Sequence, residues 1–139
     1  MSSDRLSDLS RRVKEFAVAR DWEQFHSPKN LAMALIAECG ELVEHFQWLT
    51  EEESRCLEPR KREAVALELA DILIFTLRCA ERAGIDLADA AWRKIELNES
   101  RYPVELVRGS AKRASEYAET LGTEESPRRP EEGGSKTNG

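Results

Sequence analysis

The sequence predicts an all-α chain, and three kinds of observation carry that prediction. Apolar residues recur at three- and four-residue steps, polar caps and prolines stand where helices would start, and glycine or proline stands where they would stop. Leu6, Leu9, Val13 and Phe16 share one face of a first helix over about residues 4–20, and the segment 21–26 then breaks the pattern. Ser27-Pro28 opens a second helix expected to run to about Trp48. Serine can accept from first-turn amides there, and proline at the first helical position gives up only an amide without an intrahelical partner. The acidic stretch 50–59 reads as a loop or one exposed helical turn. A third helix starts near Pro59 and stops at Gly84, a residue suited to the left-handed position after a helix. Its middle is apolar nearly all round, so it should be the most buried element. Asp86 and Asp89 supply a cap and a first-turn acid for a fourth helix over about residues 87–101, which Tyr102-Pro103 ends. Residues 104–110 look extended.

These elements give a domain over residues 1–110 and a tail over 111–139 that is weakly helical at first. From Gly122 onward the tail is rich in Gly, Pro, Ser, Glu, Arg and Lys, a composition that buries too little surface to offset ordering entropy, so it is expected to be disordered. The 139 residues suffice for one modest core. A formal net charge of −6 argues against binding duplex nucleic acid, which needs a clustered basic surface, but leaves free nucleotides open. Three cysteines without metal-finger spacing suit a reducing compartment. No apolar run is long enough to span a membrane, and the first residues lack a signal-peptide pattern, so a cytoplasmic location without a membrane partner is expected.

Two carboxylate pairs carry the chemistry. Between residues 31 and 42 the only charges are Glu38 and Glu41, and between 64 and 77 the only ones are Glu68 and Asp71. Residues three apart lie on one helical face, so each pair presents two oxygen donors together. If the second and third helices pack antiparallel, both pairs converge, and four carboxylates pressed together repel unless a cation joins them. Neither stretch supplies a base. Oxygen-only ligation suits a hard divalent ion, above all Mg²⁺, which also binds phosphates. A di-iron bundle would need repeated Glu-x-x-His motifs, whereas this chain has one such spacing, Glu23 to His26, in the break before Pro28. Glu44 and His45, three and four residues after Glu41, are further candidates to flank the site.

Taken together, the stretch 21–30, the Glu38-Cys-Gly-Glu-Leu-Val-Glu44 ladder, Trp48, Glu68-Leu-Ala-Asp71, Arg101-Tyr-Pro-Val104 and Arg108-Gly-Ser110 resemble the MazG-like all-α nucleoside triphosphate pyrophosphatases, nearest to the dCTP pyrophosphatase branch. The resemblance implies a bundle of four main helices completed by oligomerisation into a dimer or tetramer. It also implies Mg²⁺-dependent hydrolysis of a nucleoside triphosphate between its α and β phosphates. Metal and catalytic roles fall on Glu38, Glu41, Glu68 and Asp71, with metal charge activating the water and the α-phosphorus. Trp22, Trp48 and Phe75 match the family's base pocket, while Lys94, Asn98 and Arg101 on the fourth helix match its phosphate and sugar contacts. Arg108 is a weaker candidate. Relatives in this branch carry a His near the position of Val13 and a Tyr at that of Phe75, so base preference is where this chain departs. Competing readings are the same chemistry on dUTP, a broad set of triphosphates or a phosphoribosyl nucleotide, and a non-catalytic helical adaptor holding a structural cation.

Overall fold

The computed structural model describes residues 4–112 and 115–116, so the tail from 117 onward, with its expected disorder, lies outside the described residues. Among the described residues the helices α1 (Arg5–Val18), α2 (Pro28–Glu44), α3 (Glu51–Arg55), α4 (Pro59–Arg82), α5 (Leu87–Arg101) and α6 (Val104–Val107) follow one another. No strand occurs among the described residues. The chain divides into two compact units, Met1–Ala91 and Trp92–Gly139.

Most boundaries sit where the caps put them. Asp4 accepts from the amide of Leu6 and starts α1, Ser27 accepts from the amide of Asn30 ahead of Pro28, and Asp86 Oδ1 accepts from the amide of Asp89 at 2.9 Å. Thr50 and Glu53 form a reciprocal capping box, which turns the acidic stretch into α3. Beyond the end of α4, Gly84 adopts φ +68°, a conformation that costs glycine nothing. Two expectations are corrected. Helix α2 ends at Glu44 rather than near Trp48, because the next residues tighten into three-residue bonds, His45 N to Leu42 O and Phe46 N to Val43 O. The stretch expected to be extended contains α6, a single turn in which Val107 donates to the carbonyl of Pro103.

Within the first unit α2 and α1 both pack on α4. The α2–α4 pair is antiparallel: Cys79 Sγ lies 3.8 Å from the carbonyl of Pro28 at one end, and His45 Nε2 lies 3.5 Å from Glu68 further along. Among the described residues six are buried, and four of them, Val65, Leu77, Arg78 and Ala80, belong to α4. Among the described residues the middle of α4 is nevertheless not enclosed, since Leu67, Leu69 and Leu73 stay exposed. On α2 the exposed residues Met33, Ile36 and Val43 form a stripe at helical spacing.

Candidate active site

Antiparallel packing brings the acidic faces of α2 and α4 together. One carboxylate oxygen each of Glu38, Glu41 and Glu68 lies within 4.8 Å of the other two. A divalent ion with oxygen ligands near 2.1 Å separates those ligands by roughly 3 to 4.2 Å, so a small closure of the side chains would fit one. Partial burial raises the pKa of Glu38 above the usual carboxylate range, and the charges of Glu41, Asp71 and Glu68 raise it further. A cation would reverse that penalty. Asp71, one turn beyond Glu68, is near enough to act on Glu38 but is not one of the three clustered carboxylates. His45, which follows α2, reaches Glu68 at 3.5 Å, so the acidic stretches do acquire a basic neighbour. Glu44 is exposed.

Asp71 also lines a cavity of about 480 Å³ between α1, the 19–27 turn and α4, a volume suited to a small ligand. Its wall carries Leu9, Arg12, Val13, Phe16 and Ala17 of α1, Trp22 and His26 of the turn, and Ile74, Phe75 and Arg78 of α4. Phe16 and Trp22 meet edge to face at 5.7 Å between ring centres. Val13 and Phe75, the two departures from the resembled branch, both belong to this wall.

The turn bearing Trp22 is held from within and from α4. Asp21 takes a positive φ of 55° and its carboxylate accepts from Gln24 at 2.7 Å, while the Trp22 amide returns to the carbonyl of Ala17. From α4, Arg82 Nε donates to the carbonyl of His26 at 2.9 Å. Arg78 is only 2 % exposed, which no unpaired guanidinium could sustain. It donates to Glu23 at 3.0 Å, to His26 Nδ1 at 3.2 Å and to Glu81. Its hydrogen bond, followed by its charge and that of Arg82, lowers the pKa of Glu23, whereas burial and then the same two cations lower that of His26. The sequence reading missed Glu23, His26 and Arg78 as a group. The one available signal was an arginine directly after the apolar run 64–77.

The structure therefore gathers seven of the expected or flanking residues in one unit: Glu38, Glu41, Glu68 and His45 around the acids, and Asp71, Trp22 and Phe75 around the cavity. Trp48 is 87 % exposed and is not part of the cavity wall. Lys94, Asn98 and Arg101 lie in the second unit, exposed on one face of α5. Arg108 is exposed after α6.

With its acidic helix pair on an all-α scaffold, the chain belongs to the MazG-like family, whose model matches residues 34–117. Among curated proteins it is 49% identical over 112 residues to dCTP pyrophosphatase 1 of Bos taurus, which covers 79% of this chain and 66% of that protein. The human dCTP pyrophosphatase 1 is 45% identical over 113 residues, 80% of this chain and 66% of the relative. The chain thus spans just under two thirds of the length of these relatives. A crystal structure of a pyrophosphatase from Archaeoglobus fulgidus superposes with a TM-score of 0.69 at 36% identity, covering 74% of this chain and 96% of that one.

Proposed function

We propose that this chain hydrolyses dCTP or a modified dCTP to the monophosphate and pyrophosphate, using Mg²⁺ bound by Glu38, Glu41 and Glu68 with Asp71. The observation that carries the reading is the position of Asp71, which acts on Glu38 electrostatically and also lines the aromatic cavity. A nucleotide with its base in the cavity then has its phosphates toward the acids. The names of the relatives support the choice of substrate.

When bound, Mg²⁺ would supply positive charge that neutralises the triphosphate and makes the α-phosphorus more electrophilic. Glu41, the exposed member of the cluster, would then accept a proton from the water attacking that phosphorus. The bond from the α-phosphorus to the bridging oxygen breaks, and pyrophosphate leaves. Trp22, Phe16 and Phe75 hold the base through stacking and exclude water from its faces. Lys94, Asn98 and Arg101 are proposed to contact phosphate and sugar, whereas Trp48, outside the cavity wall of its own chain, is left without a contact to the base there. A second reading, the same chemistry with another or a broader base preference, is favoured by the apolar Val13 and Phe75 in the cavity wall.

The proposal includes association into a homodimer or homotetramer and a cytoplasmic location. Support for association comes from the exposed apolar residues of α2 and α4. Gly40 belongs to the α2 stripe, and a Cβ there would meet nothing within 4 Å, so a second helix has room to approach. Among the described residues no helix is long and apolar enough to cross a membrane.

The direct test is pyrophosphate release from a panel of deoxynucleoside triphosphates and modified dCTPs at saturating Mg²⁺. Glu68→Gln and Asp71→Asn are each expected to reduce it at least about tenfold, the scale of one lost charged contact to the transition state. Unchanged turnover in both variants removes the metal-site assignment. Absence of release from every triphosphate favours the adaptor reading.

A further inference from the structure

We infer that His26 reads the nucleobase: Arg78 fixes it as the tautomer protonated on Nε2, and that N–H is a hydrogen-bond donor offered by the aromatic cavity to an acceptor on a pyrimidine edge. The inference rests on the reading that the cavity takes the base. A guanidinium has donors only, so Nδ1 of His26, 3.2 Å from Arg78 Nε, must be the accepting nitrogen. In a neutral imidazole the proton then resides on Nε2. Arg78 is not free to turn away, since it is buried and its terminal nitrogens are taken by Glu23 and Glu81. Burial, followed by the charges of Arg78 and Arg82, favours the neutral ring.

Nε2 makes no hydrogen bond among the described residues, and none of their buried side-chain nitrogen or oxygen atoms lacks a partner. Nε2 is therefore not a sealed, unpartnered atom, and His26 is part of the cavity wall. Trp22, 6.2 Å away at an interplanar angle of 61°, limits rotation of the imidazole. The charged groups of the wall are less suited to this role. Asp71 accepts only, Arg78 is consumed by its partners, and Arg12 is an exposed residue that pairs with Glu15 at 3.8 Å. Cytosine presents a carbonyl oxygen and a ring nitrogen as acceptors on adjacent edge positions, and either could accept a hydrogen bond from Nε2–H. Arg78 is thus a positioning residue, acting through His26, while His26 determines specificity.

The test compares pyrophosphate release from dCTP and from a deoxynucleoside triphosphate whose base is a benzene shape mimic without carbonyl or ring nitrogen. Wild-type protein is expected to prefer dCTP in kcat/KM by at least about tenfold, because the mimic leaves the donor unpaired. His26→Phe collapses that preference to within about twofold, with the loss for dCTP falling on KM rather than kcat. His26→Gln restores it, since the amide can accept from Arg78 and donate to the base. ¹⁵N spectra of His26 are expected to show a protonated Nε2 in the wild type and a mixture of tautomers in Arg78→Met. A preference retained in His26→Phe, or a protonated Nδ1 in the wild type, overturns the inference while leaving pyrophosphate hydrolysis standing. Absence of release from every triphosphate overturns the proposed function itself, and the base-reading role of His26 with it.

Discussion

Replacing Glu38 with Gln should stabilise the metal-free protein while weakening its response to Mg²⁺. In the cluster Glu38 faces Glu41 and Glu68 within 4.8 Å, with Asp71 adding to the repulsion. Two like charges at that separation repel by roughly 1 kcal/mol in a water-like medium and about 3.5 kcal/mol at an effective dielectric near 20. Glu41 is exposed, which places the pairs near the lower figure, and salt screening reduces it further. A net gain of about 1 kcal/mol is therefore expected, or about 3 to 5 °C in Tm for a chain of this size. The pH dependence has a definite sign. Because the folded pKa of Glu38 is raised, the folded state binds more protons than the unfolded state above about pH 4.5. Stability from this group therefore falls as pH rises through the folded pKa, so the advantage of Glu38→Gln is largest near pH 7 and disappears in acid. Thermal melts in chelator and in excess Mg²⁺, at pH 7 and pH 4, measure all of this. A variant that melts at or below wild type in chelator at pH 7, and gains as much from Mg²⁺, would refute the idea that these carboxylates repel one another and bind an ion.

Three other perturbations follow from the same geometry. Arg78→Met should destabilise by about 2 to 3 kcal/mol by chemical denaturation, below the full cost of breaking a buried pair because Glu23 and Glu81 retain access to water. Gly40→Leu should leave the folded subunit intact, since a Cβ there meets nothing within 4 Å, but should shift a dimer or tetramer toward monomer in light scattering. His26, facing Glu23 on its own turn and Arg78 and Arg82 on α4, has a lowered pKa, so its contribution to stability is present above about pH 6.5 and is lost as pH falls through the folded value. Denaturant midpoints at pH 7 and 5.5 should drop for wild type by more than for His26→Phe; equal drops would show that another group carries the acid sensitivity.

The boundaries of α1, α2, α4 and α5 were legible at most ends because caps and apolar spacing act within a few residues of each other. Where the expectation erred, the competition was also local but finely balanced: one turn at 45–48 tightened out of α2, and one turn at 104–107 wound up after Pro103. The acidic pairs were legible for the same reason, since a three-residue step on a helix puts two side chains on one face regardless of what surrounds it.

Other features depended on partners far away in sequence. Arg78 meets Glu23 and His26 across separations of 55 and 52 residues, and nothing near either end shows that an arginine in an apolar helix will be paired by a turn before α2. Nor could the sequence decide that Asp71 would leave the tight cluster to Glu38, Glu41 and Glu68 and face the aromatic cavity as well. That division depends on how α4 is rotated between α1 and α2. The sequence by itself determined the helices, the acid pairs and the family resemblance, because short-range hydrogen bonding and helical periodicity suffice for them. Tertiary packing alone decided which carboxylates meet, which aromatic residues wall the cavity, and which nitrogen of His26 accepts, because each depends on the side chains that antiparallel helices and a pinned turn bring into contact.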